Sequence, residues 1–126
     1  MKVRISKTFD FDAAHFLPNV APLHKCHRLH GHTYRVEVSL CGEPDERGMV
    51  VDYAEIAAAW APIHDALDHR LLNDIPGLEN PTTEILAPWI HDRFWPAGPG
   101  PRWWANATDL RIRVYESKTT YCEYPA

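Results

Sequence analysis

Two long stretches of this chain alternate apolar with polar residues, and a period of two held that long leaves half-buried β-strands as the reading. In residues 2–13, Val3, Ile5, Phe9, Phe11 and Ala13 share one face, interrupted by Lys7. From about Leu29 to Leu40, Tyr34, Val36, Val38 and Leu40 face one way, and Thr33, Arg35, Glu37 and Ser39 the other. Gly42 to Gly48 is a turn by composition, so Met49–Asp52 reads as the return strand of a hairpin. Tyr53 to Leu67 predicts a helix, with Ile56, Trp60, Ile63 and Leu67 at helical spacing and Pro62 expected to kink or split it. A second helix is expected to open at Asn80-Pro81 and to bury Ile85, Leu86, Trp89, Ile90 and Phe94, with Pro88 a poor interior residue. Pro96 to Arg102 is a Pro/Gly-rich loop, Leu110–Val114 alternates again, and Thr120–Tyr124 is a short last strand. The order implies an α+β fold, one domain over residues 1–126, with two helices packed on one face of an antiparallel sheet.

The charge balance, 13 basic against 17 acidic side chains, offers no basic patch for nucleic acid or an anionic membrane surface. No run of residues approaches the ~20 apolar positions of a membrane span, and the alternating start, Met1 to Lys7, does not read as a signal peptide. Three widely spaced cysteines, Cys26, Cys41 and Cys122, make no disulfide framework. The expectation is a cytoplasmic protein with no membrane and no nucleic-acid partner.

Histidine is in excess: the chain has eight, and His24, His27, His30 and His32 are crowded into one short stretch. Residues i and i+2 of a strand share a face, so His30 and His32 project together, on the parity of Tyr34, Val36, Val38 and Leu40. His15 keeps the parity of Phe9, Phe11 and Ala13. Three imidazoles from two neighbouring strands can thus converge on the buried side of the sheet. Three neutral imidazoles with one open position are the donor set of a catalytic zinc (Zn2+) site. Bare imidazoles on an apolar face would otherwise need several polar partners. His64 and His91 read as ordinary satisfied histidines.

Cys26, four residues before His30, is either a fourth ligand closing a structural site or a free thiol whose thiolate Lys25, Arg28 and a cation favour. Asp68-His69 follows the first helix. An Asp beside a His orients the ring and raises its basicity, as a general acid/base requires, although a histidine serving the helix dipole looks the same. Glu116 continues the apolar parity of Leu110, Ile112 and Val114, where a carboxylate is either at a wet rim or on a ligand that donates two hydrogen bonds.

Taken together, Phe11-Asp12-Ala13-Ala14-His15, Cys26-His27-Arg28-Leu29-His30-Gly31-His32-Thr33-Tyr34, Val51-Asp52-Tyr53, Leu67-Asp68-His69, the run from Asn73 to Glu84, and Val114-Tyr115-Glu116 resemble the 6-pyruvoyl-tetrahydropterin synthase family. The likeness spans nearly the whole chain. The short Cys-x-x-x-His-Gly-His spacing and the Asn-Asp-Ile-Pro-Gly-Leu-Glu-Asn-Pro-Thr run place it nearest the bacterial 6-carboxy-5,6,7,8-tetrahydropterin synthase branch, of queuosine biosynthesis. The resemblance implies the tunnelling fold, in which subunits of a homo-oligomer join their sheets into a barrel with active sites between them. It implies His15, His30 and His32 as zinc ligands, Cys26 as catalytic thiol, and Asp68 and His69 as its acid/base partners. It implies Glu116 as the pterin anchor with Thr82 or Thr83 beside it, and a pterin triphosphate substrate, for which Lys25, Arg28 and Lys118 are the candidate phosphate contacts. Arg70 stands where the family has His or Lys. The alternatives are pyruvoyl-forming synthase activity and a non-enzymatic domain held by structural zinc.

Overall fold

Strand alternation is realised almost to the residue. The computed structural model describes residues 1–96, 104 and 106–126. In it β1 (Val3–His15) pairs antiparallel with β2 (His30–Gly42) along their whole length, and β4 (Ala107–Tyr115) continues the sheet on the far side of β2. Helix α1 (Tyr53–Leu67), β3 (Arg70–Leu71) and helix α2 (Thr83–Phe94) lie between β2 and β4, and β5 (Tyr121–Tyr124) closes the chain. The five strands are ordered β3-β1-β2-β4-β5, an open sheet with two helices.

The apolar face carries the core. Phe11 stacks on Tyr34 at 4.8 Å between ring centroids, and Trp60 of α1 stacks on Phe9 and on Phe94 of α2. Ile56, Ile63 and Leu67 from α1, and Leu86, Ile90 and Phe94 from α2, are buried against this face, each worth about 1.5–3 kcal/mol of transfer free energy. Lys7, the interruption in β1, lays its stem along the face and sets its ammonium 5.6 Å from the Phe9 ring centroid. Asp52 caps α1 by accepting from the Ala54 N–H at 2.8 Å.

Several expectations are corrected. Met49–Asp52 is not a strand, because both edges of β2 near Gly42 are already taken, by β1 and by β4. Val50 and Val51 are instead both buried, which two consecutive strand residues on a one-sided sheet cannot be. The sheet is mixed rather than antiparallel: β3 pairs in parallel with Ala13 and Ala14 of β1. Helix α2 is capped at Thr82, with Asn80 and Pro81 outside it, and Ile85 is exposed, since Leu86, Ala87, Trp89, Ile90 and Phe94 fill the inward stripe. Neither Pro62 nor Pro88 divides its helix; the carbonyls they leave unpaired belong to the exposed residues Ala58 and Glu84, where water can replace the lost bond. Apart from Pro96, the Pro96–Arg102 loop lies outside the described residues. Among the described residues, no helix is long and apolar enough to cross a membrane.

Candidate active site

The register of the β1–β2 ladder sets His15 directly opposite His30, with His32 the next residue of β2 on the same face. The potential ligand atoms of the three rings lie within 4.8 Å of one another, and among the described residues no other trio of His, Cys, Asp or Glu side chains converges in this way. His15 is fully buried. Its Nδ1–H donates to the Pro81 carbonyl at 3.0 Å, with Tyr34 Oη a further 3.2 Å neighbour, and His30 Nδ1–H donates to the Arg28 carbonyl at 2.7 Å.

Those bonds fix both tautomers and leave lone pairs on the two Nε2 atoms, which face each other at 2.9 Å. His32 Nε2 is buried without a hydrogen-bond partner, and the nearest carboxylate oxygen, on Glu116, is 3.5 Å away. Facing lone pairs and an orphaned nitrogen are repulsive as they stand and fit a divalent cation between them. Nitrogen donors backed by backbone carbonyls are the outer-shell arrangement of zinc-ligating histidines. Burial pushes the pKa of His15 and of His32 down, favouring the neutral form a metal needs.

A cavity of about 340 Å³ opens beside the trio, lined by Lys25, Cys26, His30, His32 and Glu116. Cys26 is half-buried there and does not belong to the three-histidine group. Glu116 is also a wall of a second cavity of about 220 Å³, with Leu17, Thr82, Thr83, Glu84 and Tyr121. Lys25 therefore faces the site, whereas Arg28 enters it through its backbone carbonyl.

Asp68 and His69 lie elsewhere. They follow α1, and His69 adopts a left-handed φ of 57°, held by its N–H donating to the Asp12 carbonyl at 2.6 Å. Asp68 accepts from the Asp12 N–H at 3.0 Å and from His69 Nδ1 at 2.8 Å. The first of these bonds, then the second, holds the Asp68 carboxyl below its ordinary range, while the bond to Asp68 raises His69. The His69 ring overlooks a cavity of about 580 Å³ lined by Asp12, Ala14, Gly31 and Thr33 and also by Ala13 and His32. Neither Asp68 nor His69 lines the cavity shared by Cys26, His30, His32 and Glu116.

The proton-linked stability follows. A histidine raised in the folded state stabilises the fold below its unfolded pKa, and the contribution fades as pH rises through the folded value. In Asp68→Asn, the His69 ring titration followed by NMR should fall back towards 6.5. An unchanged midpoint would mean that Asp68 does not set it.

Sequence reading missed the backbone partners of the trio, the carbonyls of Pro81 and Arg28. It also missed Asn73, whose side chain bonds both the N–H and the C=O of Phe16 and reaches the Glu79 carbonyl. That clamp ties the end of β1 to the loop that holds His15.

Residues 4–126 match the profile of the 6-pyruvoyl tetrahydropterin synthase family. The chain belongs to that family. A Synechocystis 6-carboxy-5,6,7,8-tetrahydropterin synthase is 43% identical over 103 residues, covering 76% of this chain and 78% of the relative. A dihydroneopterin monophosphate aldolase from Pyrococcus furiosus is 39% identical over 100 residues, 79% of this chain and 82% of the relative. The structure of Caenorhabditis elegans 6-pyruvoyl tetrahydropterin synthase superposes with a TM-score of 0.79 at 24% identity, over 98% of this chain and 95% of that one, a likeness of fold. The chain is accordingly a pterin-processing enzyme of lyase type, and the non-enzymatic structural-zinc domain is set aside.

Proposed function

We propose that this enzyme is a zinc-dependent 6-carboxy-5,6,7,8-tetrahydropterin synthase of queuosine and 7-deazaguanine biosynthesis. It converts 7,8-dihydroneopterin triphosphate and water to 6-carboxytetrahydropterin, acetaldehyde and triphosphate. The observation that carries this reading is the junction at Glu116, which borders both the cavity of the histidine trio and Cys26 and the cavity of Thr82 and Thr83. A carboxylate there accepts two hydrogen bonds from the pterin edge, while the substrate side chain extends towards the three histidines.

His15, His30 and His32 would hold a zinc ion, whose Lewis acidity would lower the pKa of the substrate's side-chain hydroxyls. The Cys26 thiolate, near the Lys25 ammonium, takes a proton from the side chain and returns it. His69, its basicity raised by Asp68, exchanges the proton on the other side. The side chains of Lys25, Arg28 and Lys118 are the candidate contacts for the triphosphate. Because neither Asp68 nor His69 lines the cavity of Cys26, the catalytic set in this reading is completed between copies of a homo-oligomer. In the same reading the sheets join into a barrel, with the polar residues Thr33, Arg35, Glu37 and Ser39 lining its interior.

Incubation with 7,8-dihydroneopterin triphosphate should release acetaldehyde and form 6-carboxytetrahydropterin. Triphosphate release without acetaldehyde would mean pyruvoyl-forming chemistry instead. The similarity to the Pyrococcus monophosphate aldolase supports one further reading, which activity on the monophosphate alone would establish. Glu116→Gln should raise KM roughly tenfold or more while leaving bound metal unchanged, since a hydrogen bond to a charged group is worth about 1.5–3 kcal/mol. An unchanged KM would remove Glu116 from the pterin site.

A further inference from the structure

We infer that His24 is the positioning residue of Cys26, holding the thiol's backbone in place through the Nδ1 atom of its ring. The inference rests on the reading of Cys26 as the proton-transferring group. Cys26 lies in a single 3-10 turn, Lys25–His27, in which no residue is fully buried, so hydrogen bonds carry much of what fixes its backbone. Both backbone polar groups of Cys26 are engaged: its N–H donates to His24 Nδ1 at 3.0 Å, and its carbonyl accepts from the Leu17 N–H at 2.8 Å. The Leu17 bond closes the neck of the loop. The His24 bond caps the turn, together with the His27 N–H donating to the His24 carbonyl at 3.0 Å.

Cap positions ordinarily fall to Ser, Thr, Asp or Asn, whose oxygens always accept. An imidazole accepts at Nδ1 only as the neutral ring with its proton on Nε2. The other ionisable groups near this turn are its own Lys25, His27 and Arg28, with His30, His32 and Glu116 around the cavity that Cys26 lines. Histidine here is thus a chemical choice. Its geometry is local to Cys26 and separate from the metal-binding trio.

Metal-loaded full-length His24→Ala and His24→Asn test this. In His24→Ala, amide hydrogen exchange at Cys26 should accelerate, and kcat should fall roughly two- to thirtyfold, the range expected for losing a side-chain cap. KM and metal content should hold. His24→Asn, which restores an acceptor, should recover both exchange protection and kcat. Unchanged exchange in His24→Ala overturns the cap. Faster exchange with unchanged kcat, while Cys26→Ala is inactive, overturns the positioning role. Full activity in Cys26→Ala overturns the underlying reading of the thiol, and does so without reference to His24.

Discussion

His30→Ala should cost the enzyme its metal and its turnover together. His30 is one of three imidazoles whose ligand atoms lie within 4.8 Å of one another, and its Nδ1 is committed to the Arg28 carbonyl. Removing the ring leaves two donors, one of them on a buried His15, and no other His, Cys, Asp or Glu of the described residues completes the group. Loss of an outer-shell partner alone typically weakens metal binding ~10–100-fold, so loss of a ligand should exceed that. Metal analysis after dialysis and a turnover assay on the same sample read both effects. Full activity in a metal-free variant would detach the trio from the chemistry.

Cys26→Ala should separate the two properties that His30→Ala removes together. Turnover should fall by roughly 10²–10⁴, the usual worth of a positioned proton-transfer group, with metal retained near one ion per chain. Loss of metal would instead make Cys26 a ligand and the site a closed one. The absence of Asp68 and His69 from the lining of the Cys26 cavity adds a second reading of the same variant. Cys26→Ala and His69→Ala chains, each inactive alone, should regain activity when unfolded and refolded together, in roughly one site in four by random pairing. No recovery would mean that the two residues do not meet between copies.

The histidine trio was legible because strand parity is. His30-Gly31-His32 and His15 each continue an apolar face, and the two faces are one once β1 pairs with β2. The helix over Tyr53–Leu67 was equally legible, its four buried residues at helical spacing. What escaped has no letter in the sequence: the Pro81 and Arg28 carbonyls and the two-residue strand β3. The placement of His69 escaped as well, because it depends on a left-handed backbone and a bond to Asp12. The hairpin strand expected at Met49–Asp52 failed because local turn chemistry cannot show that both neighbouring edges are occupied.

The Pro81 carbonyl touches two affairs at once. It fixes the ring of His15, and the next two residues, Thr82 and Thr83, wall the cavity on the far side of Glu116. In the proposed reading, a peptide segment shared in this way would link occupancy of the two places thermodynamically. If a ligand at Thr82 and Thr83 draws the segment into the geometry His15 needs, it tightens the hold on the ion, and the ion tightens the hold on the ligand by the same factor. In the proposed reading, the factor by which a bound pterin would raise metal affinity equals the factor by which the metal would raise pterin affinity.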